Sequence, residues 1–209
     1  MALLDIELPL PRADELPERV RALIREADQR TQAFVARRTI PGFVLSDFER
    51  VGRALQAVKE AGLASGDACC EWGSGFGVVA LMAACLGFRA CGIEINEDLV
   101  DEATALAADF ELDVEFACGT YVPHGGEDLT DACEEFDWLS AGGACGYDAL
   151  AADPADFDLI FAYPWPGEEH VIDGLFERYG AVSALLLTYH GGREDIRLRR
   201  KVADGSPGP

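Results

Sequence analysis

The chain has 209 residues, 49% of them hydrophobic, with a mean hydropathy of +0.05, which gives enough apolar length for one domain with a sizeable core. Its formal net charge is −21, from 38 acidic and 17 basic residues. Such a field opposes non-specific binding to nucleic acid, where phosphate neutralisation supplies most of the affinity, so nucleic acid is not the expected partner. No apolar run is long enough to span a bilayer, and M-A-L-L-D-I-E-L lacks the basic start and long apolar stretch of a secretory leader; a cytoplasmic location without membrane attachment is expected.

Residues 15–38 carry Val20, Leu23, Ile24, Ala27, Phe34 and Val35 roughly on one stripe and are predicted helical, with a break at Thr39-Ile40-Pro41-Gly42. Ser46-Asp47-Phe48-Glu49 has the S-x-x-E form of a capping box, and Phe48, Val51, Leu55 and Val58 repeat at helical spacing behind it. Gly62 and Ser65-Gly66-Asp67 end this second helix. A small apolar strand end, Ala68-Cys69-Cys70, then leads into the turn E-W-G-S-G-F-G (Glu71 to Gly77), and a helix-forming run follows as far as a Gly87 cap.

Strand, glycine turn and helix form the context in which such glycines suggest a ligand site. The backbone can turn tightly and approach a ligand, and the helix N-terminus offers N–H donors. A second strand, A-C-G-I-E-I, carries Glu94 at about the distance where dinucleotide and adenosine folds place the carboxylate that binds ribose. A dinucleotide fingerprint needs a glycine where this chain has Val78; here the glycines fall at Gly73, Gly75 and Gly77, with Glu71 two residues ahead.

With that pattern the chain resembles the class I S-adenosylmethionine-dependent methyltransferases, whose first motif is E/D-x-G-x-G-x-G. The resemblance covers roughly residues 65–190. It implies that Glu71, Gly73, Ser74, Gly75 and Gly77 hold the methionine end of S-adenosyl-L-methionine. It also implies that Glu94 takes the ribose hydroxyls with Ile95 beside it, and that Thr120 stands where many members carry an acidic adenine contact. In that family the region before the first motif braces or covers the cofactor, a role open to Phe43 to Phe48, as is core packing.

Beyond Glu94, a helix starts at Asn96-Glu97-Asp98 with Leu99, Ala103, Leu106 and Phe110 on one face, and a third strand runs over Asp113 to Ala117. Residues 122–156 form a long Gly- and acid-rich stretch in which Glu127 to Leu139, including Trp138, reads as helical. The fourth strand, Phe157 to Ala162, ends in Tyr163-Pro164-Trp165-Pro166-Gly167. In the resembled family this position often reads D/N/S-P-P-Y/F/W in enzymes that methylate nitrogen; Pro164 and Trp165 match, Ala162 and Tyr163 do not. The reading assigns Tyr163, Trp165 and His170 to catalysis, and Pro164, Trp165, Glu168 and Glu169 to the acceptor. Glu168, Glu169 and His170 also open a helix that runs to a Gly180 cap, where acids suit the positive N-terminus. A fifth strand, Val182 to Tyr189, precedes His190-Gly191-Gly192. Then Ile196, Leu198 and Val202 alternate with Arg197, Arg199 and Lys201 in one antiparallel strand whose basic row reads as protection of a sheet edge.

The seven cysteines include no C-x-x-C pair, and Cys69, Cys70, Cys85, Cys91 and Cys118 lie in apolar runs; they read as buried thiols, and no metal is expected. The expected architecture is α/β: a three-layer, Rossmann-like, mostly parallel sheet with N-terminal helices. Its last strand is antiparallel, and its ending is shortened and hairpin-like because few residues follow the fifth strand. Residues 1–64 form the helical N-terminal segment, 65–203 the cofactor-binding domain and 204–209 a tail. The expected activity is methyl transfer to a nitrogen of a small-molecule or protein acceptor. An oxygen acceptor, a nicotinamide-dependent oxidoreductase and a non-catalytic cofactor-binding protein are the alternatives.

Overall fold

The structure, a computed structural model, describes residues 2–12, 15–38, 44, 46–130, 143–191 and 196–203. The strands are β1 (Ala2–Ile6), β2 (Ala68–Trp72), β3 (Arg89–Glu94), β4 (Glu115–Cys118), β5 (Leu159–Ala162), β6 (Leu185–Tyr189) and β7 (Ile196–Val202). The helices are α1 (Glu18–Val35), α2 (Phe48–Glu60), α3 (Val78–Cys85), α4 (Glu97–Asp109), α5 (Glu127–Thr130), α6 (Gly146–Leu150) and α7 (Glu169–Tyr179). One seven-stranded sheet has the order β1-β7-β6-β5-β2-β3-β4. Strands β2 to β6 run parallel, β7 is antiparallel to β6, and β1 is antiparallel to β7.

The central strands β2, β5 and β6 are buried along their whole length, as strands covered on both faces must be. Their side chains alternate between two cores. Cys69, Leu159, Phe161, Leu185 and Leu187 pack with α1 to α4, while Cys70, Trp72, Ile160 and Leu186 pack with Tyr147 of α6 and with Val171, Leu175 and Phe176 of α7. Burial pushes the Cys69 and Cys70 thiols well above their ordinary range. Cys118, expected in the core, is exposed because β4 is the sheet edge.

Element boundaries differ from the sequence expectation where local contacts decide them. The N-cap of α2 is Asp47, whose carboxylate accepts from the Arg50 N–H at 3.0 Å; Ser46, the expected cap, is left free to face the site. Helix α3 ends with Gly87 in the left-handed region (φ +86°), the Phe88 N–H on the Ala83 carbonyl and the Gly87 N–H on the Ala84 carbonyl, a Schellman ending. The helix expected over 127–139 is described only as α5, and the remainder, with Trp138, lies outside the described residues, as do residues 39–43, Leu45 and the tail.

The shortened sheet is corrected by β1, five residues from the segment expected to be helical, which pair with β7 and complete the seventh strand. The basic row of β7 therefore guards no edge. Arg197 pairs with Asp5 of β1 at 2.7 Å, Arg199 is buried against Asp173 of α7, and the buried Lys201 ammonium donates to the Gly180 carbonyl. Buried cations require such partners. Among the described residues no helix is long and apolar enough to cross a membrane.

Candidate active site

Five parallel strands end on the same side of the sheet, and their C-terminal ends open into one cavity of about 440 Å³. This is the crevice where open α/β sheets bind ligands, and its size suits a small molecule. Trp72 to Phe76 enter from β2, Glu94 to Asn96 from β3, Gly119 to Val122 from β4, Ala162 to Pro166 from β5, and His190 and Gly191 from β6.

The turn after β2 holds Gly73, Gly75 and Gly77 at φ of +66°, +52° and +68°, a region that side chains with a Cβ avoid. Its ladder is local: the Ser74 N–H donates to the Ile93 carbonyl at 3.0 Å and the Gly77 N–H to the Ser74 carbonyl at 2.7 Å. Glu94 closes the turn against β3. One of its oxygens accepts from the Gly75 N–H at 2.8 Å and the other from the Asn96 N–H at 2.9 Å. Each carboxylate oxygen retains a lone pair for a further donor. The Ser74 hydroxyl is buried in the lining without a hydrogen-bond partner among the described residues.

Glu71 also lines the cavity, but its carboxylate accepts from the Ala80 N–H of α3 at 2.8 Å. Burial pushes it well above the usual carboxylate range, against the pull of that N–H and with help from the Glu94 charge. Gly77 is not among the lining residues. It caps α3, and a Cβ there would run into the Phe116 ring of β4, so it is closely packed.

Ile95, Thr120, Tyr121 and Val122 make the far wall. Ile95 is 44% exposed. The Thr120 hydroxyl accepts from the Val122 N–H at 3.2 Å, and Tyr121 stacks on Trp72 with ring centroids 5.4 Å apart and planes 5° from parallel.

At the other end, Tyr163, Pro164 and Trp165 form a wall, with Tyr163 edge-on to Tyr189 at 4.8 Å. Glu168 lines the cavity with its side chain buried; one oxygen accepts from the Trp165 N–H at 3.1 Å, and burial raises its pKa. Glu169 is not in the lining and accepts instead from the Gly167 N–H at 2.8 Å. His170 lies exposed on α7, outside the lining. The histidine that faces the cavity is His190, half-buried, with Nε2 at 2.8 Å from the Thr188 hydroxyl and its pKa lowered, chiefly by burial. It follows directly on β6, so the rule that ligands meet strand ends could have singled it out. Val44, Ser46 and Phe48 also line the cavity, placing part of the segment before α2 over it; Phe43 lies outside the described residues.

No family model matches the sequence, and no curated protein matches it. Solved structures do. The chain is similar to an RNA methyltransferase from Salinibacter ruber in complex with S-adenosyl-L-homocysteine, at 19% identity over 79% of this chain and 98% of that one, with a TM-score of 0.53. It is similar to a methyltransferase from Geobacter sulfurreducens, at 18% identity over 92% of this chain and 93% of that one, TM-score 0.52. An O-methyltransferase from Bacillus cereus in complex with S-adenosyl-L-homocysteine matches at 16% identity over 87% of this chain and 71% of that one, TM-score 0.53. The fold is the Rossmann-like methyltransferase fold.

Proposed function

We propose that this protein is an S-adenosyl-L-methionine-dependent methyltransferase whose acceptor is a nitrogen, in a small molecule or on a protein side chain. One observation carries the cofactor half of this reading: the left-handed glycine turn and Glu94 meet in a single cavity at the strand ends. The residues present fit the cofactor. The spare lone pairs of Glu94 can take two ribose hydroxyls, the unpartnered Ser74 hydroxyl suits a polar group, and Ile95, Leu99 and Val122 offer apolar contact to a base. Glu71, whose pKa burial raises, lies beside the turn, where a cationic amino group would draw it toward its charged form. When bound, the cofactor supplies an electrophilic methyl group on a cationic sulfur.

The chain's own task is to hold the acceptor in line, exclude water and remove a proton. Tyr163, Pro164 and Trp165 present a stiff aromatic face for the first two. For the third, an amine that arrives protonated must lose a proton before its lone pair can attack. Glu168, raised by burial, and His190, lowered by burial, both line the cavity, and this reading gives one of them that proton. A carboxylate beside an aromatic wall suits a cation, and the net charge of −21 also favours one over a polyanion. An oxygen acceptor on a small metabolite is the second reading, favoured by His190 as a base for a hydroxyl.

Calorimetric titration with S-adenosylhomocysteine, with NAD for comparison, tests the cofactor. Micromolar binding of the first and none of the second is expected; binding of NAD alone would overturn the reading. Labelled-methyl transfer to amine and hydroxyl panels then tests the acceptor, with amines expected to be labelled.

A further inference from the structure

Outside the cavity, the loop after β4 and the start of α6 bring together three groups that are separate in sequence. The ligand atoms of His124, Cys145 and Asp148 lie within 4.8 Å of one another, and none of the three residues lines the cavity. His124 Nε2 stands 3.0 and 3.2 Å from the two Asp148 carboxylate oxygens. The backbone holds the cluster in place. Thr120 and Cys145 form a parallel bridge, with the Thr120 N–H on the Ala144 carbonyl and the Gly146 N–H on the Thr120 carbonyl, both at 2.9 Å. Asp148 follows Cys145 on the first turn of α6, its N–H on the Cys145 carbonyl at 3.2 Å. An imidazole–carboxylate contact would account for His124 and Asp148 alone. It does not account for a third ligand atom on the same point: the Cys145 thiol, from the edge of the buried core, reaches it while also donating to the Val122 carbonyl at 3.8 Å.

We propose that His124, Cys145 and Asp148 bind a divalent transition metal, zinc foremost, with water in the fourth position. Imidazole, thiolate and carboxylate together suit zinc, whereas magnesium and calcium prefer oxygen alone. Tetrahedral bonds of about 2.0–2.3 Å put ligand atoms roughly 3.5 Å apart, so the histidine–aspartate pair already has the spacing and the thiol closes by about an ångström. Binding releases the thiol proton to solvent. The His124 and Asp148 side chains are 74% and 67% exposed, which gives the ion a way in. Because Thr120, Tyr121 and Val122 line the cavity, the metal ties that wall to α6 from outside. The absence of C-x-x-C in the sequence could not reveal a site assembled from one loop and one helix turn.

The test is titration of the chelator-treated full chain with Co(II), read by absorbance. One equivalent is expected to bind, with a thiolate-to-cobalt charge-transfer band in the near ultraviolet that added zinc displaces. Cys145→Ser should abolish the band. His124→Ala, at an exposed position whose loss leaves the circular dichroism spectrum unchanged, should weaken binding at least tenfold. Absence of stoichiometric binding, a band that survives Cys145→Ser, or unchanged affinity in His124→Ala would each overturn the proposal.

Discussion

Glu94 serves the fold and the proposed cofactor with the same two oxygens. Its bond to the Gly75 N–H pins the turn to β3, and its remaining lone pairs are the ones offered to ribose. Glu94→Ala should therefore weaken S-adenosylhomocysteine binding by about 1.5–3 kcal/mol, the scale of a charged hydrogen-bonding group; calorimetry that finds no loss places the ribose contact elsewhere. Of the two histidines, His190 lines the cavity and His170 does not. His190→Ala should lower turnover while His170→Ala leaves it unchanged, because only the first faces the cavity. Burial raises Glu168 from 4.5 and lowers His190 from 6.5, and a proton acceptor works only when deprotonated. Activity should thus be lost as pH falls, with the acid limb of kcat/KM above the ordinary carboxylate range where Glu168 takes the proton and below the ordinary imidazole range where His190 does, and Glu168→Gln should alter that limb. Glu71 bears on stability instead. The folded state keeps a proton there that the unfolded chain releases above 4.5, so stability falls as pH rises from that value. Urea unfolding of Glu71→Gln should show a flatter decline.

At the scale of elements, the β2–turn–α3–β3 unit is legible because its signals are local: a small apolar strand end, three glycines, a terminal acid. Even there, the resemblance puts Gly77 at the cofactor, whereas a Cβ on it would meet a ring that comes from β4. Gly77→Ala should destabilise the protein by roughly 1–3 kcal/mol, combining left-handed strain with overpacking. Phe116→Leu in the same chain should recover part of the loss, a non-additivity readable by denaturant unfolding. The elements that stayed hidden depend on distant partners. Ala2–Ile6 has no strand signature of its own beyond four apolar residues in five. It becomes a strand because β7, almost two hundred residues later, offers an edge and Arg197 offers a charge to Asp5. Without that partner in view, the basic row of β7 read as edge protection, although Arg199 and Lys201 point into α7 and its C-terminal cap. His190 reaches the cavity because of where β6 ends in space, whereas His170 is the histidine nearest in sequence to the Tyr163-Pro164-Trp165 turn.

For the whole molecule, a net charge of −21 on 209 residues makes the long-range field a discriminator among acceptors. At about 0.01 M ionic strength the Debye length is roughly 30 Å, comparable to the molecule, and at 0.15 M it is about 8 Å. A cationic amine approaching the cavity is drawn by the surface in dilute buffer and much less so at physiological salt. A neutral hydroxyl compound feels neither condition strongly, and a net negative field opposes a polyanion less as salt screens it. The proposed amine acceptor therefore predicts that kcat/KM falls as salt rises from 0.01 to 0.15 M while kcat stays nearly constant, because screening slows encounter without touching the bound complex. The methyl donor is itself charged, so the assay must hold it saturating, which leaves the acceptor as the only species whose capture varies. A flat kcat/KM would favour the neutral oxygen acceptor. A rising one would point to an anionic partner and would show that the field read from composition is overcome by local contacts at the mouth of the cavity.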